Sequence, residues 1–525
     1  MTAYRPLKEP WQHQSDAINR LTERKWFALQ MAMRTGKTKV TLDDFGMLEV
    51  ENKVDDLFVL APAGVYRIWE TAVQEHVSIE LQRRLNIYTW RSGRNSQREM
   101  MYRRSFLNDR LRPRMLIMNI EALSTVAAAY NLAKEFLSQR RSYFVVDEST
   151  TIKNESKRTA RALELGPLAQ YRRILTGLIS PRSPLDVFYQ FQFLEPGCLG
   201  HNSFRTFKAR YAIEHKICVL PTQLLQSKLL KVAKDGRVVK MGRVVSVGDL
   251  NRQELMEELD KRRVWYESFP KVIGYKNETE LRDKIAPHSF RVRLEDCYDL
   301  PPKIYSMREI AMTDDQRRIY KSLKDKATAE LTEMRHVTAL SVVSRMIRLH
   351  QVLCGHTRDE EGHLHNISEN RTTQLLELLD DHEGKAIIWC SYDYNMWAVS
   401  AALEKEFGHG SVARFWGGNA STREAEELNF QNDPNCRFMV GTPSAGGRGR
   451  LWVVADLVVY YSNTNNLEHR SQSEERAQGI DKVQSVAYVD LMVPDTVDEM
   501  IIKALRNKID MAATISGDEW RKWLV

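Results

Sequence analysis

The feature that most constrains this chain is a rhythm that occurs twice. From Lys25 to about Leu194, short β-branched or apolar runs (FALQ, LFVLAP, RMLIMNI, YFVVDE, RRILTG) alternate with longer amphipathic stretches. From Lys385 onward the rhythm returns in KAIIWCSY, ARFW, CRFMVGT, DLVVYYS and SVAYVDLMV. Short strand-like runs spaced by helical segments build a parallel sheet covered by helices. Two α/β lobes are therefore predicted, and 525 residues are enough for about three units of roughly 150 residues each.

The stretch between the two rhythms differs in charge. From Ser203 to Arg252 there are eleven basic residues against three acidic ones, a net +8 in a chain whose whole net charge is +8. Lys228, Lys231, Lys234, Arg237, Lys240 and Arg243 form its centre. Such a surface suits a polyanion, because neutralising phosphates releases condensed counterions; a solvated basic insertion is the alternative reading. The expected division is residues 1–198 as the first lobe, 199–300 as a basic, largely helical, hairpin-containing inserted region, and 301–525 as the second lobe. That last unit begins with a long helix, which Thr313 and Gln316 open with a capping box.

Composition excludes several classes. Apolar residues make up 43% and charged residues 28%, which fits neither a disordered nor a fibrous chain. The longest apolar runs fall far short of the ~18 residues of a membrane span, and the N-terminus does not read as a secretory signal. Six cysteines without a CxxC pair suggest reduced thiols in a cytoplasmic compartment.

Two segments carry chemistry. In FALQMAMRTGKTKVTLDDF, Gly36, Lys37 and Thr38 fall between a strand-like and a helix-like run. There, backbone N–H groups at a helix start can face phosphates, a lysine can reach their oxygens, and a hydroxyl can ligate Mg²⁺. Met31 stands where GxxxxGK[ST] has its first glycine. In YFVVDEST, an apolar strand ends in Asp147 and Glu148, suited to a Mg²⁺ shell and to orienting and deprotonating a water.

With these residues in place, the chain resembles a superfamily 2 helicase-type ATPase. It is most similar to the Snf-type double-stranded DNA translocases, including the short forms carried by phages. The likeness runs in order through PWQHQSDAI, LAPAGVYRIWETAVQEH, MNIEALS, VVDESTTIKN, LTGLISPRSPLDVFYQFQFLEPG, KAIIWCSY, VGTPSAGGRGRLWVVADLVVYYS and RSQSEERAQG. It implies two RecA-like lobes clamping ATP and Mg²⁺ between them. Gln14, Arg34, Thr35, Gly36, Lys37, Thr38 and Gly447 would contact nucleotide, and Thr38 and Asp147 would serve the metal. Glu148 would serve the water, Arg476 would be an arginine finger with Gln472 beside it, and Thr176 with Gly177 would couple the site to DNA as nucleic-acid contacts.

Two departures stand out. The family's last motif carries a second arginine three residues after the first, where this chain has Gly479, and its fifth motif ends differently here, in Arg450, Leu451 and Trp452. Arg448 or Arg450 are candidate substitutes.

The expected function is an ATP-driven motor on double-stranded or branched DNA. It would be monomeric, without a membrane, with a possible protein partner at 199–300, and would work in bacterial or phage-infected host cytoplasm. The alternatives are a nucleotide-binding DNA clamp or assembly factor with little hydrolysis, suggested by Gly479, and an RNA or forked-DNA helicase. Cys354, His356, His363 and His365 match no zinc-ligand spacing and read as a polar loop. Trp389, Trp397, Trp416 and Trp452 read as core rather than as base-stacking platforms.

Overall fold

Strands β1 (Trp26–Met31), β2 (Asp56–Ala61), β3 (Asn86–Thr89), β4 (Arg114–Asn119), β5 (Ser142–Asp147) and β6 (Tyr171–Thr176) form the first parallel sheet of this computed structural model. The structure describes residues 4–516 except 23, 64, 94–95, 220–244, 247–266, 299–300, 334–338, 360, 420, 447–450, 480–481 and 483. Helices α1 (Gln12–Leu21), α2 (Lys37–Val50) and α3 (Ile68–His76) are among those covering the sheet.

The strands are mostly apolar at their centres because both faces are buried. On β2, Phe58 and Leu60 enter one core while Leu57, Val59 and Ala61 enter the other. A fully buried ion pair pins the start of two strands, with Arg114 Nη2 donating to Asp56 Oδ2 at 2.6 Å. The two residues face each other directly in the register of β2 and β4.

The middle stretch contributes β7 (Ala212–Val219), β8 (Val245–Ser246) and β9 (Glu267–Tyr275) as an antiparallel sheet, then β10 (Ser289–Val292). Strand β10 pairs in parallel with β1, giving the first sheet the order β10-β1-β6-β5-β2-β4-β3. Phe207, Tyr211, Leu281 and Ile285 also pack into the first lobe's core. Both ends of the stretch expected as an insertion are thus built into the first lobe, because β10 covers an edge of β1 that would otherwise be open.

The second lobe carries β11 (Lys303–Glu309), the hairpin β12 (His356–Arg358) and β13 (Leu364–Asn366), then β14 (Lys385–Trp389), β15 (Val412–Phe415), β16 (Phe438–Gly441), β17 (Ala455–Tyr460) and β18 (Val486–Met492). Apart from the hairpin these form a second parallel sheet, ordered β11-β18-β17-β14-β16-β15. Here too Ile387 and Trp389 face one core and Ala386 and Ile388 the other. The helix Asp314–Glu333 begins with the expected capping box, Thr313 and Gln316 exchanging two bonds of 3.1 Å. Among the described residues, no helix is long and apolar enough to cross a membrane.

Candidate functional site

The register of the first sheet brings three segments to one edge. Gln30 pairs with Thr176 and Asp147 with Leu175. The loop after β1, the carboxylates after β5 and the turn after β6 therefore lie side by side at the carboxyl ends of adjacent strands, where open α/β sheets bind ligands.

The loop is shaped by its own residues. Gly36, just before α2, has φ +89°, and a Cβ there would lie 2.2 Å from Gln14 Nε2. The left-handed conformation favours glycine, and a larger residue would also displace the Gln14 amide. Gln14 is buried on α1; its Oε1 accepts from the Trp11 N–H at 3.1 Å and its Nε2 donates to the Thr35 carbonyl at 3.2 Å. Thr35 Oγ1 donates to Ala32 O at 2.8 Å, and Lys37 Nζ donates to Met31 O at 2.8 Å. Lys37 and Thr38 open α2, whose first-turn N–H groups have no partners within the helix. Among the described residues, then, this edge offers backbone donors, an ammonium and a hydroxyl, a set suited to a polyphosphate and its divalent cation.

Asp147 is buried; its Oδ2 accepts from Trp69 Nε1 on α3 at 3.0 Å and its Oδ1 from the Glu148 N–H at 2.9 Å. Glu148 sits at φ +48° and ψ +59°, a left-handed conformation that costs a non-glycine residue about 1–3 kcal/mol. The next residue, Ser149, donates to Gln190 at 2.6 Å, and Gln190 donates in turn to Ile179 O at 2.8 Å, tying the carboxylates to the turn after β6. Thr176 is buried at the end of that central strand and its hydroxyl closes on Leu178 O at 3.0 Å. Together with Gly177 it lines the cleft.

The second lobe faces this edge with the helix Leu467–Glu474, capped by Asn466. Between them lies a narrow cleft of about 30 Å³ lined by Glu148, Thr176, Gly177, Glu468 and Gln472 among others. Glu468 reaches across it, accepting from Thr150 Oγ1 and Lys153 Nζ at 2.9 Å each. Arg34 Nη2 donates to the Glu475 carbonyl at 2.5 Å, and Arg476 Nη2 lies 3.7 Å from Met33 Sδ. Arg476 is 1% exposed, and its backbone carbonyl accepts from the Trp452 N–H at 2.8 Å. Burial pulls the Arg476 guanidinium down to about 10; the positive charge of Arg34 acts in the same direction, and Glu475 and Glu148 oppose it. Arg34 is also drawn down to about 10 by burial, against the pull of Glu475.

Gly447, Lys228, Lys231, Lys234, Arg237, Lys240 and Arg243 lie outside the described residues, as do Arg448 and Arg450. Sequence reasoning missed Trp69, Gln190 and Glu468. Trp69 lies within the quoted LAPAGVYRIWETAVQEH motif, and Glu468 precedes Gln472 by one helical turn, but nothing local marks their partners. Trp389 and Trp452 are buried and stacked 5.5 Å apart, whereas Trp397 is 49% exposed and packs edge-on against Trp416. Cys354 and His356 are buried, while His363 and His365 flank Asp359 on the exposed β12–β13 hairpin.

Comparison with known proteins adds sequence relatives. A family model described as the SNF2-related domain matches residues 28–358. The TATA-binding protein-associated factor mot1 of Aspergillus fumigatus is 24% identical over 404 residues, covering 72% of this chain and 20% of that protein. A SWI/SNF-related matrix-associated actin-dependent regulator of chromatin subfamily A-like protein 1 of Drosophila melanogaster is 22% identical over 402 residues, covering 74% of this chain and 43% of that protein. The chain thus spans about 20% of the length of the first of these relatives and 43% of the second. Among solved structures, the Sulfolobus solfataricus SWI2/SNF2 ATPase core in complex with dsDNA aligns at 19% identity with a TM-score of 0.38, covering 100% of this chain and 97% of that one.

Proposed function

The chain belongs to the SNF2-related domain family, and from that premise we propose that it is a DNA-dependent ATP hydrolase that couples lobe movement to translocation on, or remodelling of, duplex or branched DNA. The observation that carries this reading is the meeting, across one cleft, of the loop before α2 and the segment from Glu468 to Arg476, with Glu148 between them.

In this reading Lys37 and the first-turn N–H groups of α2 hold the triphosphate, with Gln14 bracing the loop at Thr35 and Gly36. Thr38 and Asp147 hold Mg²⁺, which supplies charge neutralisation for the leaving phosphates when bound. Trp69 fixes the Asp147 carboxylate. Glu148 orients a water and takes its proton, its strained backbone aiming the carboxylate into the cleft. Arg476 enters from the second lobe as the finger, so that charge stabilisation depends on closure, and Gln472 lines the same wall. Thr176 and Gly177, at the floor of the cleft, couple the site to DNA.

DNA contact is assigned to the basic stretch centred on Lys228–Arg243, with a protein partner as its other possible occupant. The functional division into 1–198, 199–300 and 301–525 belongs to the same proposal, with the ends of the middle unit anchored in the first lobe, and so does a cytoplasmic place of action.

The test is steady-state ATP hydrolysis by the parent and Lys37→Ala, alone and with linear duplex DNA, single-stranded DNA or RNA, at low salt where phosphate contacts are strongest. Stimulation by duplex DNA that Lys37→Ala abolishes supports the motor. Stimulation confined to RNA or single strands points to a helicase, and ATP and DNA binding without turnover points to a clamp.

A further inference from the structure

Arg34 occupies a position that is costly for arginine. Its φ of +68° is left-handed backbone, which glycine adopts freely and other residues adopt at about 1–3 kcal/mol. The strain lies where the Arg34 side chain leaves the phosphate loop.

That side chain crosses the cleft. Nη2 donates to the Glu475 carbonyl at 2.5 Å, while the buried Nη1 has no hydrogen-bond partner among the described residues. Nη1 lies 3.6 Å from where a Cβ on Gly479 would sit, and that same Cβ would fall 2.3 Å from Val453 Cγ1. Gly479 is not among the glycines with positive φ, so its backbone does not demand glycine; the space does. Position 479 is where the family resemblance expects a second arginine. Here Val453 fills the room its side chain would need, and the guanidinium of Arg34 approaches the same place from the opposite lobe.

Arg34 and Arg476 are close enough that the first depresses the ionisation of the second. A half-buried and a buried guanidinium at the mouth of a phosphate loop repel each other until an anion lies between them.

We propose that Arg34 supplies, from the phosphate loop itself, the second phosphate-facing cation that position 479 lacks. This inference rests on the ATPase reading and deepens it. Because the same guanidinium is bonded to Glu475, the charge is aligned when the second lobe is docked, so a residue of the first lobe becomes sensitive to closure.

The experiment compares the parent, Arg34→Gly, and the relocation variant Arg34→Gly/Val453→Ala/Gly479→Arg. It measures DNA-stimulated kcat, affinity for ADP and for ADP with aluminium fluoride, and the thermal midpoint. Glycine suits the left-handed backbone, so Arg34→Gly is expected to fold with an unchanged or higher midpoint. Its kcat should fall about 10³-fold and its preference for the aluminium fluoride complex should vanish, with ADP affinity altered by less than about threefold. The relocation variant should regain at least about tenfold in kcat. The proposal is overturned if Arg34→Gly keeps kcat within threefold of the parent, or if kcat and ADP affinity fall in parallel. A parent that neither hydrolyses ATP nor binds ADP with aluminium fluoride overturns this inference together with the ATPase reading; a parent that does either, with Arg34→Gly unaffected, overturns this inference alone.

Discussion

Replacing Glu468 with alanine should open the cleft. Its carboxylate accepts from Thr150 Oγ1 and Lys153 Nζ, both at 2.9 Å and both from the opposite lobe. The Lys153 and Glu468 side chains are only 6% and 14% exposed, so water screens them little. At 2.9 Å and an effective dielectric constant of about 20, the gross Coulomb attraction is about 6 kcal/mol. Desolvation cancels much of it, leaving the net value of a charged hydrogen bond, about 1.5–3 kcal/mol. Lys153 keeps the field of Asp186 when Glu468 is gone, which favours the lower half of that range. The docked arrangement of the lobes should therefore lose about 10- to 40-fold in population relative to the open one. Single-molecule energy transfer between dyes carried by unnatural amino acids at the exposed positions 101 and 428 reads this directly, since Met101 and Leu428 are 72% and 53% exposed and belong to different lobes. Glu468→Gln keeps an acceptor and should give a smaller shift in the same direction. Populations that agree with the parent within a factor of two would refute the reasoning, because the bridge would then contribute nothing to docking.

Three further outcomes are expected. Glu148→Gln should lower DNA-stimulated turnover by about 10²–10⁴-fold while leaving ATP affinity within a few-fold, since it removes the proton acceptor and keeps the side-chain shape; equilibrium nucleotide binding beside single-turnover hydrolysis separates the two. Arg114→Leu leaves Asp56 fully buried with, among the described residues, Arg140 at 3.3 Å as the remaining cation to offset its charge, so the thermal midpoint should drop by about 5 °C for a cost near 3 kcal/mol in a lobe of about 300 residues. Adding Asp56→Leu should recover most of that loss in calorimetry, and failure to do so would mean that the charge is not the cause. Finally, burial acts to raise the Asp109 carboxyl, but hydrogen bonds from Asn86 and Arg112 outweigh it and pull it down to about 2. Because this folded-state value lies below the unfolded one near 3.8, its stabilisation is present above about pH 4 and lost as pH falls toward 2. Urea unfolding of Asp109→Asn should show a flatter stability profile across that window, and a profile parallel to the parent's would exclude the effect.

The sequence by itself determined what is local. The apolar runs became strands because each buries both faces, as Phe58 and Leu60 against Leu57 and Val59 show. Glycine at 36, the adjacent Asp147 and Glu148, and the Thr313–Gln316 cap were legible because backbone conformation and spacing along the chain define them. Tertiary structure alone decided which strand lies beside which, and therefore that β10, from a stretch that reads as an insertion, closes the edge of β1. It also decided the partners across the cleft: Thr150 and Glu468 are 318 residues apart, and Arg34 and Glu475 are 441 apart. A side chain's periodicity tells which way it faces from its own element. What it meets depends on how two sheets dock, and the charge that Gly479 lacks is found only by seeing which residue of the other lobe reaches the same place.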